Sequence, residues 1–290
     1  MNRKLLSVIS IALIIVTVVT ALPLSASAAS TTISSGVKGI SLKIEDNKLL
    51  PGESLVITPV IDSTGTKYIK SVVATLGDKK TELKINKKNT LKMPSKNLGL
   101  YTLKVTYKFR MDLPVTQSSV STKKVLLQNY AGISASVYVV ADMNAVIMKA
   151  KKIYPQGSKC SYIKKYSAYQ CHAFACFMSD TAFGAGKPTT SNKAYEYFRA
   201  TSKNGIVNSI RVGDLVRYRS SQSFNHSIFV TKIDGTYIYY ADANSDGKCT
   251  VKYNQRIKKS ELEKLMRKRL LTDDGSVKYG YIARYKNNYL

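Results

Sequence analysis

Histidine occurs only twice in the 290-residue chain, and tryptophan does not occur at all. Both histidines and all four cysteines lie beyond residue 159, so the first half has no side chain for thiol or imidazole chemistry. Acidic residues are scarce too, 18 against 45 Lys and Arg, which leaves a net charge of +27. The excess is not gathered into one tail. Residues 29–128 carry 17 basic and 7 acidic side chains, and residues 129–290 carry 26 and 11. Such a surface suits a polyanion. No nucleic-acid reading motif and no aromatic cluster in a basic context accompanies it, which argues against nucleic acid as the partner. Beyond about Leu24 no run is apolar enough to cross a bilayer.

The N-terminus bears on the compartment. Arg3 and Lys4 precede an apolar run from Leu5 to about Leu24, which ends in Ser25-Ala26-Ser27-Ala28-Ala29. A charged start, an apolar stretch and a small-residue cleavage site are the three parts of a secretory signal peptide, here residues 1–28. An uncleaved anchor is the alternative for a run of this length; Pro23 and the small residues favour cleavage. No cysteine stands at the cleavage site to carry a lipid. The expectation is an exported chain, secreted or held at the cell wall, with no stable membrane anchor once cleaved. For an exported chain the candidate polyanions are peptidoglycan or other anionic wall polymers and membrane surfaces, ahead of nucleic acid.

Residues 34–128 read as strand after strand. Gly39–Ile44 and Tyr101–Tyr107 alternate apolar and polar residues, and Ser54–Val60, Ser71–Leu76 and Lys123–Leu127 are further strand candidates. Turn signals separate them, among them Pro51-Gly52 and Gly77-Asp78. Short alternating strands at regular spacing predict a β-sandwich. In pattern the segment resembles bacterial immunoglobulin-like modules, which implies a spacer or a binding module.

Composition changes near Asn129, and residues 135–290 are expected to form a second domain. Ala141–Lys152 reads as a helix, stopped at Tyr154-Pro155-Gln156-Gly157. A helix over Tyr169–Phe183 ends at Gly184-Ala185-Gly186, and a shorter one is expected over Asn192–Thr201. Three strands follow, Asp214–Tyr218, His226–Ile233 and Thr236–Asp242, then shorter ones near Thr250–Tyr253 and over Tyr279–Tyr285. Between the last two, Ser260-Glu261-Leu262-Glu263 suggests a capping box opening a basic helix through Leu271. A helix followed by an antiparallel sheet makes this an α+β domain.

The chemistry centres on Cys171. A thiol is a useful nucleophile only as thiolate, which a helix N-terminus or a neighbouring histidinium favours. Cys171 stands where the helix is expected to start. His172 adjoins it, but successive helical residues point in different directions. His226, at the start of a strand, is the better base. The imidazole needs an orienter. Asp242 and Asn244, one hairpin later, share one face of a strand by period two. Cys176 lies on an apolar stretch and reads as core. Cys160 and Cys249 are candidates for a disulfide. Asp242–Gly247 resembles the start of a calcium loop, but the later glutamate is missing at the required spacing; we read it as a turn and expect no metal or other cofactor.

These residues resemble a known group. Tyr169-Gln170-Cys171-His172-Ala173 is similar to the nucleophile motif of CHAP amidase/endopeptidase domains. Val212-Gly213-Asp214-Leu215-Val216, His226-Ser227-Ile228-Phe229-Val230 and Ala241-Asp242-Ala243-Asn244 follow in that family's order. The chain departs from the pattern in lacking tryptophan, in Asn225 before the histidine, and in Asp242 where glutamate is usual. The resemblance implies an NlpC-like, papain-type fold and a thiol hydrolase that cuts amide or peptide bonds in peptidoglycan. Cys171, His226 and Asp242 or Asn244 would form the triad, with Gln170 a candidate oxyanion donor. Two alternatives stay open: a cysteine peptidase or transglutaminase acting on proteins, and a wall-binding protein with a disabled site.

Overall fold

The computed structural model describes residues 30–35, 39–66, 69–109, 132–220, 224–271 and 279–290. The segment expected to be a signal peptide and the strand expected over Lys123–Leu127 lie outside them. No helix among the described residues is long and apolar enough to cross a membrane.

The N-terminal unit is two sheets around one core. One sheet runs Thr31–Ser34, Ile40–Ile44, Ser54–Ile61, Asn89–Lys92; the other runs Lys48–Leu49, Gly132–Val139, Gly99–Phe109, Ile69–Leu76, Lys79–Leu83. Leu42, Leu55 and Ile57 from the first meet Val72, Leu103, Val105 and Val137 from the second, all buried. Alternation does this: in Ser54–Ile61 every second side chain, Leu55, Ile57, Pro59 and Ile61, is turned inward.

The boundary expected between 128 and 135 requires correction. Gly132–Val139 pairs with Gly99–Phe109 from Gly99↔Val139 to Thr106↔Gly132, and its buried residues belong to the sandwich core. The N-terminal unit therefore runs through Val139. Ile133, Ala135, Val137 and Val139 carry the alternation, diluted by serine and alanine.

The second unit is α+β. The helix Met143–Ile153 opens on Asp142, whose carboxylate accepts the backbone N–H groups of Asn144 and Ala145. The helix Gln170–Phe183 ends where Gly184 takes the left-handed conformation at φ 65°. An antiparallel six-stranded sheet follows in the order Tyr195–Arg199, Tyr281–Tyr285, Leu215–Arg219, Asn225–Ile233, Tyr237–Ala243, Val251–Lys258. On one face Leu215, Phe229, Ala241 and Ala283 pack with Phe174 and Met178 of the long helix. On the other, Val216, Ile228, Ile238 and Ile282 pack with Leu262 and Met266 of the helix Lys259–Met266. A sheet covered on both sides explains the unbroken burial of His226–Val230.

Two further expectations are corrected here. Asn192–Thr201 holds a strand, Tyr195–Arg199, instead of a helix, because its aromatics pair along the sheet edge with Tyr281–Tyr285. The capping box does not form: the helix begins one residue earlier, at Lys259, without a side-chain cap, and ends at Met266. The Glu263 carboxylate instead accepts the N–H groups of Gly205 and Val207. The Gly-Asp motif has a structural use. Asp214 is fully buried and receives both Nε and Nη2 of Arg284 at 2.9 and 2.7 Å, a two-pronged pair that compensates the cost of burying either charge.

Candidate active site

The helix that carries Cys171 starts under constraint. Tyr169 is extended, whereas Gln170 holds a left-handed φ of 50°. The Gln170 N–H donates to Ser161 O at 2.8 Å. This sharp turn sets Cys171 in the first turn of the helix, where unpaired backbone N–H groups and the positive dipole end favour an anion. The Cys171 side chain is buried, and its sulfur lies 3.9 Å from Asn225 O at the start of the histidine strand.

His226 is the second residue of that strand. Its Nε2 lies 3.0 Å from Asp242 Oδ2, and both residues are buried. The Tyr218 ring meets the imidazole edge-on with centroids 5.7 Å apart. The other ring nitrogen, Nδ1, is buried with no conventional hydrogen-bond partner among the described residues, as is Asp242 Oδ1. Buried polar atoms left unsatisfied require an explanation. The Cys171 thiol is, with Asp242, one of the two groups that act on this imidazole.

The electrostatics pull the two residues together. Burial alone pushes the Cys171 thiol up, but attraction to His226, the Ser227 backbone N–H and the Arg217 charge outweigh it, and its pKa falls below the ordinary thiol value. Burial alone pushes His226 down, yet Asp242 and Cys171 overcome that and raise it to about 9. Opposite shifts of a coupled acid and base favour a thiolate–imidazolium pair.

Asp242 and Asn244 part company. Asp242 contacts the imidazole. Asn244 adopts φ 71° just past the strand end at Ala243, and this left-handed turn breaks the period-two alignment. Its Nδ2 donates to Gln170 Oε1 at 2.7 Å, and its Oδ1 accepts the Cys249 N–H at 2.8 Å. Gln170 is thus fixed by Asn244 beside the nucleophile.

His172 sits elsewhere. Its Nδ1 is 3.3 Å from Ser227 Oγ and its Nε2 is 3.8 Å from Cys176 Sγ. Burial, with the charges of Arg217 and Lys187, lowers its pKa to about 3, so this ring is neutral. Cys176 is buried in the helix–sheet core, and burial pushes its thiol up to about 12. Cys160 and Cys249 are both free thiols, on residues joined by a backbone hydrogen bond of 2.9 Å from Cys160 N–H to Cys249 O. In the Asp242–Gly247 segment, Asp246 accepts the Lys248 N–H and pairs with Lys252 at 3.4 Å. No group of three or more His, Cys, Asp or Glu side chains converges on a possible metal site among the described residues.

Sequence reasoning missed Ser227, Arg217 and Tyr218. Arg217 Nη1 donates to Ser227 Oγ at 2.8 Å, which anchors the strand beside the thiol. Only pairing of Leu215–Arg219 with Asn225–Ile233 brings them together (Arg217↔Ser227, Tyr218↔His226). A cavity of about 680 Å³ lies away from this site, between Pro51, Lys96 and Leu98 of the sandwich and Asp142, Phe183 and Tyr285. It contains neither Cys171 nor His226. No family model matches the chain, and neither does any curated protein or solved structure.

Proposed function

We propose that the chain is an exported cysteine hydrolase that cleaves amide or peptide bonds in cell-wall peptidoglycan. One observation carries this reading: His226 is held by Asp242 through Nε2 at 3.0 Å, its buried Nδ1 takes no hydrogen bond among the described residues, and the Cys171 thiol at the helix start acts on the ring. A nucleophile, a base and a group that orients the base are the parts acyl transfer needs.

The Cys171 thiolate attacks the amide carbonyl and forms a C–S bond. As the C–N bond breaks, His226 gives its proton to the departing amine. Water then adds to the thioester, losing a proton to His226, and the acid leaves as the thiolate is restored. The Cys171 backbone N–H, at the helix N-terminus, is a donor for the oxyanion, and the Gln170 carboxamide is the second candidate. Asp242 keeps the imidazole in one tautomer and stabilises its charged form. The papain-type arrangement of the second unit and a wall- or spacer-type role for the sandwich belong to the same proposal.

The substrate reading rests on the motif resemblance, on the export signal and on the net charge of +27, which favours an anionic wall. Tyr162 and Tyr169, exposed and in ring contact at 4.7 Å, flank the nucleophile on its hairpin and offer a surface to the substrate. Incubation with purified cell walls and, separately, with casein tests the reading. Release of new amino groups from walls alone is expected. Cleavage or cross-linking of casein alone moves the substrate class to proteins, and wall binding without release from either substrate makes the chain a binder.

The pH dependence follows from the two shifted groups. Activity should rise with pH as Cys171 ionises below the ordinary thiol range, and fall near pH 9 as the imidazolium is lost. Stability has its own sign. His226 is raised from 6.5 to about 9 on folding, so its contribution is full below 6.5 and is lost as pH rises through 9. A single rising step in activity near pH 8.5, the value of an unperturbed thiol, contradicts the pair.

A further inference from the structure

Two cysteines play no part in the chemistry proposed above, yet their backbones meet beside it. The backbone of Lys159 bridges antiparallel to Thr250, flanked by Cys160 N–H to Cys249 O at 2.9 Å and Val251 N–H to Ser158 O at 2.8 Å. Cys160 and Cys249 are therefore next in register and joined by one backbone bond, while Cys249 turns left-handed at φ 57° and gives its own N–H to Asn244. A direct N–H···O bond of 2.9 Å between the two residues keeps their Cα atoms close to the roughly 4.4–6.8 Å that a disulfide spans. Their thiols also sense one another electrostatically, since ionised Cys249 raises the pKa of Cys160.

The position of this pair ties it to the nucleophile. Cys249 N–H donates to Asn244 Oδ1 at 2.8 Å, and Asn244 Nδ2 donates to Gln170 Oε1 at 2.7 Å. Gln170 N–H donates to Ser161 O at 2.8 Å, and Ser161 follows Cys160. The path from Cys160 through Gln170 and Asn244 to Cys249 is a ring held by hydrogen bonds, the last of them Cys160 N–H to Cys249 O, with no covalent link between the two sulfurs.

We propose that Cys160 and Cys249 are a disulfide site, and that the bond adds a covalent link to this hydrogen-bonded ring and holds Gln170 in register with Cys171. The disulfide stands on the hydrogen-bonded backbones alone; the positioning role of Gln170 rests on the proposed function. The oxidant is a small disulfide such as glutathione disulfide. Cys249, the less buried thiol, attacks it as thiolate and releases one glutathione thiol. The mixed disulfide is then displaced by Cys160, whose proton goes to solvent, and the second glutathione leaves. Two thiols are oxidised and one glutathione disulfide is reduced to two thiols. Burial pushes Cys160 up to about 11, so the second step is the slow one.

Thiol counting under denaturing conditions in the Cys171→Ala chain tests the bond without any need for activity. Four cysteines less one leave three thiols in dithiothreitol. After equilibration with glutathione disulfide one is expected, with a peptide map joining Cys160 to Cys249. Three remaining thiols, or a map that joins other cysteines, overturns the proposal. The oxidised chain should melt about 10 °C above the reduced one, because the bond closes a loop of roughly 90 residues. The positioning role is read on Cys160→Ser/Cys249→Ser with Cys171 reduced: kcat on walls should drop several-fold with little change in KM. If the bond forms and kcat does not move, the positioning role is overturned and the disulfide stands. If wild type releases nothing from walls, the proposed function fails and the thiol count still decides the bond.

Discussion

Replacement of Cys171 by alanine should abolish release of amino groups from cell walls, by about 100,000-fold or more in kcat, without unfolding the chain. The nucleophile has no substitute nearby. Cys176 lies in the helix–sheet core with its thiol pushed up to about 12, and Cys160 is pushed up to about 11. Neither can supply a thiolate near neutral pH. The lost side chain is small, and His226 keeps its Asp242 partner. The melting temperature should accordingly stay within a few degrees of wild type, about 1 kcal/mol or less at this chain length. Cys171→Ser should be nearly as inactive, because the imidazole cannot hold an alkoxide as it holds a thiolate. Wall digestion followed by amino-group titration, alongside a thermal melt, reads both effects. Substantial residual activity in either variant means that another group does the chemistry.

The second large effect separates two residues that period two treats alike. Asp242→Asn should lower kcat/KM by about 1,000- to 10,000-fold, since an amide in that place favours the wrong tautomer and no longer stabilises the imidazolium. The same change lets burial dominate: His226 falls from about 9, the Cys171 thiol rises, and the alkaline limb moves to lower pH. Asn244→Ala should cost far less, about tenfold, because Asn244 touches Gln170 and Cys249 and does not touch His226. Kinetics of both variants across pH measure the contrast. Equal losses, with no shift of the alkaline limb in Asp242→Asn, exclude Asp242 as the orienter.

Much of this arrangement was legible in the residues. Where an element has a strong local signal, expectation and structure agree: the sandwich strands around Leu42, Leu55 and Leu103, the helix closed by Gly184, and the meander through His226 and Asp242. The misreadings fall where long-range pairing overrides a weak local pattern. Gly132–Val139 is rich in Ala and Ser, so its alternation is faint until Gly99–Phe109 supplies its partner. Tyr195–Arg199 becomes a strand only because Tyr281–Tyr285 lies beside it. Glu263 left the expected capping box for N–H groups more than fifty positions away. At the site, period two held to Asp242 and failed at Asn244, where one residue of left-handed backbone redirected the side chain to Gln170. Arg217 and Ser227 were invisible for the same reason, since strand register alone puts them beside the thiol.

The central claim is that Cys171 and His226 form a thiolate–imidazolium pair in the free protein. Thiolate ultraviolet absorbance across pH, taken as wild type minus Cys171→Ala, tests it without a substrate. The pair predicts that one thiolate appears well below pH 8.5, the ordinary thiol value, and that Asp242→Asn moves this step upward. A difference that appears only at or above pH 8.5, as burial without His226 would dictate, contradicts it.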